Sequence, residues 1–169
     1  MTQKSQNNKH LETYFKELSI QINLDGLSFC VFNPVLTCVE SIYNFPVNFS
    51  YKTQEEINEQ VERVIQSEED LRQDFTTIRV LHNTPPNTSL FALIPQSLYG
   101  GKDEMLDYLK YSIDINNVAP ETVEIDKILS VETVNAYVPN ILVNNALLSY
   151  YGRVDYQHFA TSLLKMFLK

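Results

Sequence analysis

The amino-acid sequence predicts an α/β fold with a mixed sheet, in which a three-stranded antiparallel meander is followed by alternating helices and strands. Three observations carry this. Residues 18–24 alternate between apolar and polar, the period of a strand. Asp25-Gly26 follows directly and supplies two residues suited to a tight hairpin turn. Beyond residue 53 the apolar spacing becomes helical, and short β-branched runs then alternate with helical stripes.

Residues 1–16 are polar and predict a mobile arm, with residues 17–169 as one domain. In the first strand Leu18, Ile20, Ile22 and Leu24 point one way, and Ser19, Gln21 and Asn23 the other. That polar row predicts a face turned to a cleft or to another domain. Leu27 to Phe32 is apolar on both faces, as an interior strand should be. A third strand is expected from Leu36 to Phe45, stopping at Pro46. Thr53 and Glu56 have the spacing of a capping box, and Ile57, Val61, Val64, Ile65 and Leu71 form the buried stripe of a helix over 54–73. Glu68, Glu69 and Asp70 are adjacent on that helix, where carboxylates diverge, so they read as a solvated face rather than a metal site.

Thr76 to Leu81 is a β-branched strand, and His82 to Ser89, containing Pro85-Pro86, is a loop. Leu90 to Ile94 is a buried strand ended by Pro95. Asp103 is placed to cap a helix that buries Met105, Leu106, Leu109 and Ile113, and a turn-rich stretch runs from Asn116 to Pro120. The segment from Val123 to Val138 has β-branched residues on either side of Leu129-Ser130 and predicts a strand ending at Tyr137-Val138-Pro139. Asn140 then caps a helix burying Ile141, Leu147, Leu148 and Tyr151, with Gly152 ending it. Val154 to Tyr156 is a short strand. From Phe159, Leu163, Leu164, Phe167 and Leu168 keep helical register to the last residue, so the sequence stops inside a helix.

Composition excludes several classes of function. The chain has 169 residues and a formal charge of −8, and no run of Lys and Arg that would draw it to a phosphate backbone. Nucleic acid is therefore not an expected partner. Its four glycines compare with roughly a dozen at average usage, and neither a Walker loop nor a dinucleotide fingerprint can be spelled with them. Met1 to His10 lacks the apolar core of a secretory signal, and no stretch of about 18 apolar residues occurs. Those features predict a soluble cytoplasmic protein without a membrane partner. Cys30 and Cys38 are too few for a disulfide framework and predict packing roles. His10, His82 and His158 lie in three separate contexts, so no nucleophile or metal set is assigned. Ten tyrosines, among them Tyr108, Tyr111, Tyr137, Tyr150, Tyr151 and Tyr156, suit core edges and interfaces.

Three segments carry a resemblance to a known family: Leu18 to Phe32 (LSIQINLDGLSFCVF), Ser89 to Leu98 (SLFALIPQSL) and Asn135 to Leu164 (NAYVPNILVNNALLSYYGRVDYQHFATSLL). Within them Ala136-Tyr137-Val138-Pro139 and Tyr156-Gln157-His158-Phe159 are the more specific parts. From Leu18 onward the chain resembles an uncharacterised Bacteroidota family, domain of unknown function 3822, assigned to the actin-like ATPase superfold with its ribonuclease H-like core. The resemblance implies one half of an actin-like fold, because the family's proteins are longer and continue into a second, similar half. It implies no activity.

Actin-like ATPases and sugar kinases carry Asp-x-Gly followed by Thr or Ser in the first hairpin, where the acid positions hydrated Mg²⁺ and the loop holds phosphate oxygens. The matching turn here is Asp25-Gly26-Leu27-Ser28, one residue tighter and with Leu in place of a hydroxyl. Asp25, Gly26 and Ser28 are thus the candidate cofactor-binding residues, although a plain hairpin accounts for the first two. No cofactor, catalytic residue or metal ligand is expected. Ribonuclease H chemistry needs converging carboxylates, and the first strand offers Ser19, Gln21 and Asn23. The expectation is a pseudo-ATPase that acts as a scaffold or interaction module toward a protein partner or a second half-domain. The alternative is an ATPase or phosphotransferase with a divergent first phosphate loop.

Overall fold

A computed structural model describes residues 15–50, 52–83, 91–112 and 118–168. Most of the expected arm, the Pro85-Pro86 loop, Leu90, Ile113 and the Asn116-Asn117 turn lie outside the described residues. The chain divides into two compact units, one formed by residues up to Val80 together with Leu142–Tyr156, the other by Leu81–Ile141 together with residues from Gln157 onward.

The first unit is built on a five-stranded mixed sheet in the order β3-β2-β1-β4-β8. Its strands are β1 (Glu17–Asn23), β2 (Gly26–Asn33), β3 (Cys38–Pro46), β4 (Thr77–His82) and β8 (Asp155–His158). The first three form the antiparallel meander expected from the sequence, in a register that sets Asn23 against Gly26 and Gly26 against Pro46. Alternation works as the pattern requires: Leu18, Ile20 and Ile22 are buried, and Ser19, Gln21 and Asn23 are half-buried on the opposite face. Leu24 does not join the apolar row. It sits in the turn and is exposed, because the two-residue turn is Leu24-Asp25, and Gly26 already opens β2.

Helix α1 (Gln54–Ser67) has the expected capping box, with Thr53 Oγ1 accepting from the Glu56 amide and the Glu56 carboxylate accepting from the Thr53 amide. It presents Ile57, Val61 and Ile65 to the sheet's core, and full burial of each such side chain stabilises by about 1.5–3 kcal/mol. The helix ends at Ser67, six residues before the expected end. Glu68 is extended, and Glu69–Arg72 form a separate 3₁₀ turn that still buries Leu71. The cause is electrostatic: three successive carboxylates would crowd the negative end of the helix dipole. Asp70 instead accepts a hydrogen bond from the Tyr43 hydroxyl at 2.9 Å.

Helix α3 (Ile141–Tyr151) completes this core with Val143, Ala146 and Leu147. Gly152, at φ +74°, stops it while its amide donates to the Leu148 carbonyl. Leu148 and Ile141, both expected to be buried, are exposed, since the burying stripe is offset by one residue toward Val143 and Ala146.

In the second unit β5 (Phe91–Pro95), β6 (Glu124–Ile128) and β7 (Thr133–Tyr137) make an antiparallel sheet in the order β5-β7-β6. One strand was expected between Val123 and Val138, and two are found. A 3₁₀ turn at Leu129–Val131 reverses the chain with Glu132 in the left-handed conformation, φ 48°. Glutamate is not a residue that marks such a turn, so the hairpin is silent in the sequence. Helix α2 (Lys102–Ser112) buries Met105, Leu106 and Leu109 in a core with Ile94, Val123, Val134 and Ala136. Asp103 lies inside its first turn rather than at the cap, adding negative charge at the dipole's positive end. The last helix, α4 (Phe159–Phe167), is capped by His158. Its buried residue is Thr161, while Phe167 and Leu168 are exposed. No helix among the described residues is long and apolar enough to cross a membrane.

Candidate functional site

The first hairpin places the three candidate residues in three different environments. Asp25 is exposed at the turn, and its carbonyl accepts the Val47 amide at 2.9 Å, tying the turn to the residue after β3. Gly26 is buried at φ +151°, and a Cβ there would stand 2.0 Å from the Phe45 carbonyl oxygen and 2.8 Å from the Val47 nitrogen. Its missing side chain makes room for the backbone of β3. The Ser28 hydroxyl belongs to a chain of side-chain hydrogen bonds: Gln21 Nε2 donates to Asn23 Oδ1 at 2.8 Å, Asn23 Nδ2 to Ser28 Oγ at 3.2 Å, and Ser28 Oγ to Asn44 Oδ1 at 3.0 Å. Two residues of the polar row singled out in the sequence, Gln21 and Asn23, therefore belong to a ladder running across β1, β2 and β3.

Cys30 lies opposite Ile42, and Cys38 opposite Asn33, so the two thiols are not cross-strand partners. Both are free. Cys30 is half-buried, and burial pushes its thiol pKa up. Cys38 is exposed, not packed as expected, because the Pro34–Thr37 turn delivers it to the first position of the edge strand.

A second concentration of chemistry, missed in the sequence, lies in the second unit. Asp126 and Asn135 are direct partners across β6 and β7 and so share a face. Asn135 Nδ2 donates to Thr161 Oγ1 at 2.9 Å, and the Thr161 hydroxyl lies beside Asp126, whose charged form it favours. Asp126 Oδ2 also accepts the His158 amide at 2.8 Å, and the Tyr137 hydroxyl lies close enough to feel the same carboxylate. His158 Nδ1 accepts the Ala160 amide at 3.2 Å, which leaves the proton of the neutral ring on Nε2. Its ring lies 4.6 Å from that of Phe91 and 5.2 Å from that of Tyr137. His82, the last residue of β4, is buried, and its ring lies 5.9 Å from that of Tyr137, tilted by 41°.

Burial sets the protonation states in this cluster. Desolvation lowers the His158 pKa to about 4, so the ring is neutral. Desolvation raises Asp126 above the ordinary carboxylate value, opposed by the His158 amide and the Thr161 hydroxyl. Tyr137 is raised by burial first and then by the nearby acids. The carboxylate's partners all belong to the fold, and together they pin α4 to β6 and β7. No sequence motif joins these residues; only the polar alternation within β6 and β7 marks two of them.

An open cleft of about 160 Å³ in the first unit is lined by Thr76, Thr77, Ile78, Arg153, Val154 and Asp155. The Arg153 guanidinium donates to the Phe75 carbonyl at 2.9 Å, and Asp155 supplies an opposing charge. Among the described residues no group of three or more His, Cys, Asp or Glu side chains is arranged to hold a metal.

Comparison with known proteins bears on the whole chain. The model of a family described as "Protein of unknown function (DUF3822)" matches residues 5–169. A crystal structure from Bacteroides thetaiotaomicron VPI-5482, described as a protein with actin-like ATPase fold and unknown function, is similar with a TM-score of 0.69 at 19% identity, over 93% of this chain and 57% of its own. The cytoplasmic domain of EpsL, an inner membrane component of the type II secretion system of Vibrio cholerae, matches with a TM-score of 0.40 at 14% identity, over 84% of this chain and 55% of its own. A PilM-PilN type IV pilus biogenesis complex matches with a TM-score of 0.46 at 11% identity, over 83% and 45%. The chain thus spans about half the length of these solved relatives. No curated protein matches it. The likeness to the Bacteroides thetaiotaomicron structure establishes the actin-like fold that the sequence implied.

Proposed function

The chain belongs to the DUF3822 family of proteins of unknown function, and from that premise we propose that it is an actin-like module that binds protein rather than nucleotide, a scaffold in the manner of a pseudo-ATPase. The observation that supports this is the packing of the first hairpin. A phosphate-holding turn needs free backbone N–H groups and hydroxyls around a glycine that keeps the loop open. Here the space beside Gly26 is filled by the Phe45 carbonyl, and the Ser28 hydroxyl already bonds Asn23 and Asn44. The same face of the sheet continues to an edge strand with exposed Val39 and Ile42, which suits contact with protein.

Calorimetric titration with ATP and Mg²⁺ tests the reading. The expected result is no binding heat. Micromolar binding that disappears in Asp25→Ala would overturn the proposal in favour of an ATPase or phosphotransferase with a divergent phosphate loop.

A further inference from the structure

We propose that Asp126 and Asn135 form a buried proton-binding site in the second unit, where a proton taken up from solvent by the Asp126 carboxyl is donated to Asn135 Oδ1, and that occupancy of this site fastens α4 to β6 and β7. The site is independent of the first hairpin and of the reading built on it.

An unmet acceptor points to the proton. Asn135 is wholly buried, and while its Nδ2 donates to Thr161 Oγ1 at 2.9 Å, its Oδ1 finds no donor among the described residues. A buried carbonyl oxygen left without a donor is costly, and native folds rarely keep one. Asp126 is the direct partner of Asn135 across the β6–β7 ladder, where facing Cβ atoms stand about 4.5–5.5 Å apart. Both side chains converge on the Thr161 hydroxyl. An ionised carboxylate can only accept and gives Asn135 Oδ1 nothing, whereas a carboxylic acid has one O–H to give. Asp126 Oδ2 is already taken by the His158 amide at 2.8 Å. The proton therefore belongs on Oδ1, and it satisfies Asn135 with no group moved.

The surroundings hold that proton in place. Burial is the main influence on Asp126, and Glu124, two residues along β6, adds a like charge. Against them act the His158 amide, the Thr161 hydroxyl and Lys165 of α4, and the balance is upward. Tyr137 of β7 stays a neutral phenol, and the His158 ring, lowered to about 4, is neutral above that value. Asp126 reaches α4 through the amide of His158, the residue that caps the helix, and beside Thr161, which is wholly buried. Losing the proton leaves a charge in a desolvated place and Asn135 Oδ1 again unmet, both where α4 is held. Because Asp126 is raised in the folded chain, its contribution is complete below the ordinary carboxylate value and is lost as pH rises through the folded value. His158 works in the other direction, since a proton on Nδ1 ends its acceptance of the Ala160 amide as pH falls through about 4.

A carboxyl-carbon NMR titration of the whole chain, with the Asp126 resonance assigned by through-bond correlation, tests the site. The expected midpoint lies above the ordinary aspartate value of about 3.9. Hydrogen exchange then tests the fastening. Corrected for intrinsic rates and read against the buried α2 residues Leu106 and Leu109, protection of the α4 amides should fall as pH rises through that same midpoint. Asp126→Asn sets an amide N–H toward Asn135 Oδ1 at every pH, so this alkaline limb should vanish from the variant while the acid limb due to His158 stays. An Asp126 midpoint at or below the ordinary value would mean an ionised carboxylate with the Asn135 amide turned about to donate to it, and would overturn the site. Protection of α4 that ignores a raised Asp126 titration, or that keeps the alkaline limb in Asp126→Asn, would overturn the fastening. Should Asp126→Asn fail to fold, the two wild-type measurements still decide, because the midpoints either coincide or do not.

Discussion

Two rows of polar side chains cross two sheets in this protein, and they sit in opposite solvent conditions. In the first unit, Gln21, Asn23, Ser28 and Asn44 form a hydrogen-bonded ladder on a half-exposed face. In the second, Asn135, Thr161, Asp126 and the His158 amide form a network around fully buried Asn135 and Thr161. Similar amides and hydroxyls are used in both. Water can replace any lost partner in the first row and cannot reach the second, so the same deletion should cost little in one place and much in the other.

The largest expected effect breaks that rule and locates its limit. Gly26→Ala lies beside the solvated ladder, yet its Cβ would meet the Phe45 carbonyl oxygen at 2.0 Å with φ at +151°. It should destabilise by about 4 kcal/mol or more, in the range of overpacking combined with backbone strain, or prevent folding. Urea unfolding measures the first outcome and the soluble yield the second. A near-native midpoint would mean that the hairpin and the end of β3 are not packed together as described.

Next comes Asp126→Ala, which strands the His158 amide and removes the carboxylate beside the Thr161 and Tyr137 hydroxyls. A loss of about 2–4 kcal/mol is expected, as for buried groups left without partners. A loss below 1 kcal/mol in urea titrations at neutral pH would show that water enters the network.

A smaller effect is the pH dependence of the same network. Because the His158 pKa is lowered to about 4 in the folded chain, from about 6.5 when unfolded, its contribution is fully present above pH 6.5 and is lost as pH falls through about 4. Asp126 acts with the opposite sign: raised in the folded state, it contributes below the ordinary carboxylate value and loses that contribution as pH rises through its folded value. His158→Asn keeps a side chain able to cap α4 and removes the imidazole. Unfolding midpoints measured between pH 7 and pH 4 should fall less steeply in this variant than in the wild type. Parallel curves would show that another group is responsible.

The smallest effect is expected from Ser28→Ala, which interrupts the exposed ladder and should change stability by no more than about 0.5 kcal/mol, as is usual at solvated surface positions. A cost comparable to that of Asp126→Ala would erase the distinction between the two rows.

What could be read in advance follows the same division. The meander, the capping box at Thr53 and the helix stop at Gly152 are local features, written in period, spacing and residue type within a few positions; all three are present, with the first turn one residue earlier than expected and the third strand starting at Cys38 rather than Leu36. The end of α1 was missed because a carboxylate run next to a helix terminus acts through the dipole, which an apolar stripe does not report. The β6–β7 hairpin was missed because Glu132 adopts a conformation its residue type does not advertise. The buried network was missed for a different reason. Asp126, Asn135, Tyr137, His158 and Thr161 come from four elements, and only the cross-strand pairing of Asp126 with Asn135 and the return of the chain through β8 into α4 bring them together. Asp25, Gly26 and Ser28 could be selected from the sequence, but the Phe45 carbonyl beside Gly26 is a tertiary fact without a local signature.

One consequence follows from how the chain is threaded. The apolar side of the first sheet is laid down by residues before Val80, yet Val143, Ala146 and Leu147, which help to close it, come from α3, on the far side of the whole Leu81–Ile141 excursion. On a ribosome adding about 5–20 residues per second, that surface must wait for several seconds with only α1 over it. A nascent chain paused in the interval leaves open the part of the core that Val143, Ala146 and Leu147 close.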